Sequence, residues 1–283
     1  MKKIYLDGKT YAEDEWNRAN GLTPSPLADA LMDYLDCRCT CFPPMSDDDP
    51  IITAYSSARR LGFDGASEAE GYVPVLTAVD ETLWECLNLN TGEDGEDGGF
   101  YDFDAAAAAR YREKMLALPL QDGKAVLEEM IAVRREEAAE DDIDWDEELL
   151  GQMEGGEVND RFAGIWNFSD RKTLPLILAE IPVKHPWEIF AYLPFGGWNE
   201  CPDTPELMAA AKYWYEKYGA VPAVMTHDVL EFDLTEPVPE ELAMELALEQ
   251  YAFCPDIVDQ GVETVGALAD MLRKSKKWYF WWD

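Results

Sequence analysis

Residues Trp187 to Thr226 read WEIFAYLPFGGWNECPDTPELMAAAKYWYEKYGAVPAVMT, and the order of their parts decides the fold. The first part, WEIFAYLPF, is apolar at almost every position: Trp187, Ile189, Ala191 and Leu193 share one parity, Phe190 and Tyr192 the other. That pattern predicts a strand buried on both faces. Thr204 is placed as an N-cap with Pro205 behind it, and Leu207, Ala210, Ala211, Trp214 and Tyr215 give the helix that follows an apolar face. Gly219 stands where a helix ends left-handed, and AVPAVMT then reads as a buried strand. Strand, helix and strand make a βαβ unit, whose crossover is right-handed. If the two strands are parallel neighbours, the loops FGGWNEC and THDVLE lie on one sheet edge, where open α/β sheets bind ligands.

Working outward, LPLILAEIPV before this stretch and VLEFDL after it read as further strands. PVPEELAMELALEQYAF forms a helix with Leu242, Leu246 and Tyr251 roughly in line, and CPDIVDQG is a loop. Thr264 caps ETVGALADMLRKSKK, whose late Arg273, Lys274, Lys276 and Lys277 suit the negative end of a helix. WYFWWD, residues 278 to 283, returns to the sheet as a strand. Trp278, Phe280 and Trp282 then face one side, Tyr279 and Trp281 the other, and both faces need cover.

The N-terminal portion is more helical. SPLADALMDYLDC carries Leu27, Leu31 and Leu35 behind Ser25 and Pro26; PIITAYSSARRLG is a second helix stopped by Gly62. GYVPVLTAV, residues 71 to 79, is a strand bounded by Asp80, and NTGEDGEDGGF is a loop. FDAAAAARYREKMLAL and GKAVLEEMIAVRREEAAE are helices, the second with Val126, Met130 and Val133 on one side. Residues 136–160 are self-repelling and contain Gly-Gly, which makes them the best linker. The expected architecture is therefore α/β or α+β. A C-terminal domain, residues 161–283, has a mixed, partly parallel sheet with flanking helices, closed by the terminal strand 278–283. A mixed, more helical acidic region, residues 1–135, precedes the linker.

HPWEIFAYLPFGGWNECP, YWYEKYGAVPAVMTHDVLEF, EQYAFCPDIVDQG and WYFWWD, in that order, resemble the bacterial domain-of-unknown-function family numbered 4253. The resemblance covers about residues 174 to 283. It implies kinship and a domain boundary, and no activity or catalytic residues to carry over.

Charge bounds the partners. With 23 basic against 58 acidic residues the net charge is −35, a field that repels nucleic-acid phosphates and anionic lipid and attracts a basic protein or a metal ion. The first residues, MKKIYLDGKT, have no apolar core of a signal peptide, and no segment is apolar enough to span a bilayer, so a cytoplasmic protein is expected. Six cysteines are too sparse for a disulfide scaffold.

Four groups of residues carry candidate chemistry. Trp198, Asn199, Glu200 and Cys201 from one loop and Thr226, His227, Asp228 and Glu231 from the other hold the minimum for acid/base work, a histidine beside carboxylates that orient its ring. With Cys201 the chemistry is that of a thiol nucleophile; with Glu200, Asp228 and Glu231 as oxygen ligands it is that of a divalent metal. The bland reading is a turn whose polar side chains cap the backbone. Cys37, Cys39 and Cys41 in DCRCTCF could bind a soft metal, but no second cysteine pair completes a zinc set, so no metal or other cofactor is expected there. FCPDIVDQG could put Asp256 and Asp259 near the same edge, although Asp after Pro is ordinary turn chemistry. The last group is the acidic surface, Asp47 to Asp49, residues 93–97 and 136–148. The leading expectation is a non-catalytic acidic binding protein, immunity-like or inhibitory, that covers a basic protein with acids and exposed tryptophans. The alternative is a hydrolase or metal-dependent enzyme using Glu200, His227, Asp228 and Glu231.

Overall fold

The computed structural model describes residues 3–5, 25–64, 71–92 and 101–283. The acidic 93–97 stretch lies outside them. The chain divides into two compact units: residues 1–118, 164–195 and 223–227, and residues 119–163, 196–222 and 228–283.

The first unit is a mixed sheet with helices. Its elements are β1 (Lys3–Tyr5), α1 (Pro26–Leu35), β2 (Arg38–Phe42), α2 (Asp49–Arg59), β3 (Val73–Ala78), α3 (Glu81–Thr91) and α4 (Ala105–Ala117). A short hairpin, β4 (Trp166–Asn167) and β5 (Lys172–Thr173), precedes β6 (Leu176–Ile181), and β7 (Val221–Met225) adds its last three residues. β6 lies antiparallel between β2 and β3, while β1 runs parallel to β2 and β7 parallel to β3. β3 is buried at all six positions, as a strand paired on both sides and covered on both faces must be. α1 starts as its sequence requires, with Ser25 Oγ accepting from Ala28 N and Pro26 in the first turn; Leu27, Leu31 and Leu35 are buried.

Two expectations change here. WEIFAYLPF is not a strand: Pro186–Ala191 form a 3-10 turn, pinned because the Glu188 carboxylate accepts from the backbone N–H groups of Lys184 (3.0 Å) and His185 (2.9 Å). The run is buried on every side, so its apolar residues lacked the one-sided period that separates strand from helix. The parallel neighbour of β7 in this unit is therefore β3. Gly62 does not stop α2 either; the chain continues through a wide turn, Arg60–Asp64. Glycine is needed at that position because a Cβ would collide with the Tyr72 ring.

The second unit contains α5 (Gly123–Glu140), α6 (Thr204–Tyr218), β8 (Val229–Asp233), α7 (Glu240–Phe253), α8 (Val265–Leu272) and β9 (Lys277–Trp281). α5 packs on α6 and α7, and α7 on α8. The cap of α6 is Asp203 rather than Thr204: its carboxylate accepts from Glu206 N at 3.0 Å, and the Glu206 carboxylate accepts from Asp203 N at 3.1 Å. On α5, Val126 and Leu127 are buried while Val133 is half exposed, so the buried stripe does not extend to Val133. β8 and β9 form an antiparallel pair, Leu230 opposite Phe280 and Phe232 opposite Trp278. Trp278, Phe280 and Trp282 are buried, and Tyr279 and Trp281 are half-buried. The aromatic residues at 278, 280 and 282 thus build a core. Trp214 stacks on Phe280 with centroids 5.6 Å apart and meets Phe253, Trp278 and Phe232 edge-on. The Trp214 indole N–H donates to the buried Glu249 carboxylate at 3.0 Å. Among the described residues no helix is long and apolar enough to cross a membrane.

Candidate functional site

In the first unit, the carboxyl ends of the parallel strands β3 and β7 carry Asp80 and His227, and the Asp80 carboxylate meets His227 Nδ1. Asp80 caps α3, accepting from Thr82 N at 2.8 Å. Burial pushes its carboxyl up, but the His227 bond and charge and the helix N–H groups outweigh that and hold it below the ordinary aspartate value. A carboxylate on Nδ1 fixes the ring's orientation, which is the second half of an acid/base dyad. Asp80 was missed as a partner. The sequence signal was there, since Asp-Glu-Thr after an apolar strand is an N-cap signature.

Thr226 lies buried beside His227 in the first unit, whereas the three carboxylates expected at that edge lie in the second unit, each with its own partner. Glu200 pairs with Arg134 Nη2 at 2.5 Å, and Arg134 Nη1 also holds Glu137 at 2.7 Å. Asp228 accepts from the Trp281 indole N–H at 3.1 Å. Glu231 is wholly buried in β8 and accepts from Ala163 N at 2.8 Å. The segment supplying that N–H crosses the β8–β9 pair on the face opposite the aromatic core, with Asn159 N donating to Ser275 Oγ at 2.8 Å.

The loop Trp198–Cys201 and the segment Cys254–Gln260 converge in this unit. Asn199 Nδ2 donates to the main-chain oxygen of Asp283 at 2.7 Å, and Asp283 N donates to Asp256 at 3.0 Å. Cys254 Sγ donates to Trp281 O at 3.0 Å, and burial pushes this thiol well up, away from the reactive thiolate form. Cys201 is buried, its N–H donating to Trp198 O at 2.9 Å. Burial also raises the Asp259 carboxyl; Arg134 pulls it down, and Asp256, Glu200 and Glu137 push it further up. The arrangement is one guanidinium with Glu137 and Glu200 bound to it and Asp259 within its field. Arg134 gave no sequence signal, being one basic residue within a charged helix.

Of the three thiols, Cys37 immediately precedes β2, and Cys39 and Cys41 lie on it. Cys37 and Cys39 Sγ atoms are 3.8 Å apart and buried, and their mutual hydrogen bond, then burial, push the Cys39 thiol far up. The Cys41 thiol is raised by burial to about 12. Carboxylates gather otherwise at Asp47, Asp48 and Asp49, whose oxygens lie within 4.8 Å of one another. Of the 136–148 stretch, residues up to Glu140 complete α5, and the Trp145 ring lies against Tyr251, centroids 6.4 Å apart.

Comparison with known proteins gives one relationship. Residues 177–283 match the family model described as a domain of unknown function, DUF4253. The DUF4253 match begins in β6 and ends beyond β9, close to the extent read from the motifs. It takes in His227, Glu200, Asp228, Glu231, Asp256 and Asp259, and leaves Asp80 and Arg134 outside. No curated protein matches the chain, and no solved structure does.

Proposed function

We propose that the chain is a non-catalytic acidic binding protein for a basic protein partner, acting in the manner of an immunity protein or inhibitor. One observation carries this reading. Three side chains on which a catalytic site would draw hold other parts of the same unit: Glu200 holds Arg134, Asp228 holds Trp281 and Glu231 holds the Ala163 N–H. The net charge of −35 then acts at long range, steering a basic partner toward the surface and excluding nucleic acid and anionic membrane. The six free cysteines suit a reducing, cytoplasmic setting, and the reading needs no cofactor. Affinity capture from the source organism at low and high salt tests it. A basic protein retained at low salt and released by high salt is expected; retention of acidic proteins or nucleic acid alone, with salt making no difference, contradicts it.

A second reading, that of a hydrolase, is favoured by the Asp80–His227 pair at the carboxyl ends of β3 and β7. Hydrolysis of simple ester or phosphoester substrates that is abolished in His227→Gln would replace the binding reading with this one.

A further inference from the structure

The second unit contains a groove of about 600 Å³ whose walls are the segment following α5 and the start of α8. Its position follows from two glycines. A Cβ on Gly156 would collide with Ala267 O and Met271 N, and a Cβ on Gly266 would collide with Gln152 O, so the 150–156 strand of chain lies directly on the α8 backbone. The buried Asp270 carboxylate secures that contact: it accepts from Gly156 N at 2.9 Å and pairs with Arg273 (2.6 Å) and Lys274 (2.7 Å). The groove beside this contact is thus a built feature, with walls set by backbone packing.

Its lining is one-sided in charge. Asp146, Glu147, Glu154 and Glu263 face it, Val262 and Ala267 supply apolar surface, and among the described residues no lysine or arginine lines it. All four acids are exposed, and none has a side-chain hydrogen bond or ion pair among the described residues. They contrast with Glu137 and Glu200 of the same unit, which share Arg134. Four unneutralised carboxylates around one concavity repel each other, and a cation placed between them removes that repulsion while gaining attraction. The volume lies within the roughly 300–1,000 Å³ of clefts that hold small ligands, more than one ammonium group needs. The apolar strip suits the aliphatic stem of a lysine or arginine.

We infer that this groove receives an extended, lysine- or arginine-bearing segment of the basic protein partner. The inference rests on the binding reading above and names the surface that performs it. A fluorescein-labelled octapeptide of alternating lysine and alanine serves as probe, with a glutamate–alanine octapeptide as control, in anisotropy titrations of the full chain. Two variants remove the same charge: Glu147→Gln/Glu154→Gln/Glu263→Gln in the groove, and Asp47→Asn/Asp48→Asn/Asp49→Asn in the other unit. The groove variant should bind the lysine peptide about tenfold or more weakly, while the aspartate variant changes affinity less than about twofold. Thermal melts should show both variants folded: the groove acids are exposed, and in the other unit the half-buried Asp48 accepts from the Trp166 indole N–H at 3.3 Å, an acceptor oxygen that Asp48→Asn keeps. Equal losses in the two variants, or an unchanged groove variant, overturn the groove while leaving an acidic binding surface in place. A wild-type chain that prefers the lysine peptide no more than the glutamate peptide overturns the binding reading and the groove together.

Discussion

Replacing Phe280 by alanine tests the central packing argument. Phe280 is fully buried on β9, stacked on Trp214 at 5.6 Å and in contact with Phe253 at 5.2 Å, Phe232 at 5.7 Å and Trp282 at 6.2 Å between centroids. Removing the ring forfeits its transfer free energy and leaves a hole walled by large aromatic residues, which fill space poorly by rotation. Loss of about 4 kcal/mol is expected, within the ~3–5 kcal/mol of buried Phe→Ala changes. With a urea slope of about 3 kcal/mol/M, the unfolding midpoint should fall by about 1.3 M. Trp281→Ala on the same strand supplies the contrast. Trp281 is half-buried on the opposite face with one indole hydrogen bond to Asp228, so its loss should cost about 1–2 kcal/mol. Far-UV circular dichroism across a urea series reads both. Costs in the reverse order, or a Phe280→Ala penalty below about 1 kcal/mol, would refute the face assignment of β9.

Two further substitutions read the electrostatics. Burial raises the Asp259 carboxyl, so its charged form opposes folding: the gain in melting temperature from Asp259→Asn should be larger at pH 7 than at pH 3, below the ordinary aspartate value. A lower melting temperature at pH 7 would mean that the charge is needed for Arg134. Asp80 runs the other way. Its carboxyl is depressed, so the stability it contributes is present above its unfolded value near 3.8 and disappears as pH falls through the folded value. His227→Gln should therefore destabilise at neutral pH, with the gap from wild type closing in acid below that value; a gap of constant size down to pH 2 would show that His227 acts by packing alone.

Much of the fold was legible because local rules and tertiary packing agreed. Ser25 before Pro26, Gly219 after Tyr218 and Thr264 before Val265 all act at the helix ends where their chemistry places them. WEIFAYLPF failed for the opposite reason: burial on every side erased its period, and the decisive influence was a short-range one, Glu188 reaching back to the N–H groups of Lys184 and His185. At the candidate sites, the carboxylates of the 198–201 and 254–260 segments were recognisable as a set. Arg134 was not, since no residue type or spacing on α5 marks one arginine as the one that meets Glu200.

By itself the sequence determined the acidity, the kinship of the last hundred or so residues and the alternation that makes Trp278, Phe280 and Trp282 one buried face. Those properties are set by counting charges and by a period of two, and neither depends on what lies across the sheet. Only the tertiary structure decided which carboxylates are paired and which are not. Asp80 lies in sequence far from His227, and Glu200 far from Arg134, yet each pair is in contact, while Asp146, Glu147, Glu154 and Glu263 face a groove and have no ion pair among the described residues. Whether a charge is satisfied depends on long-range contact, and backbone packing at Gly156 and Gly266 is what brings those acids together.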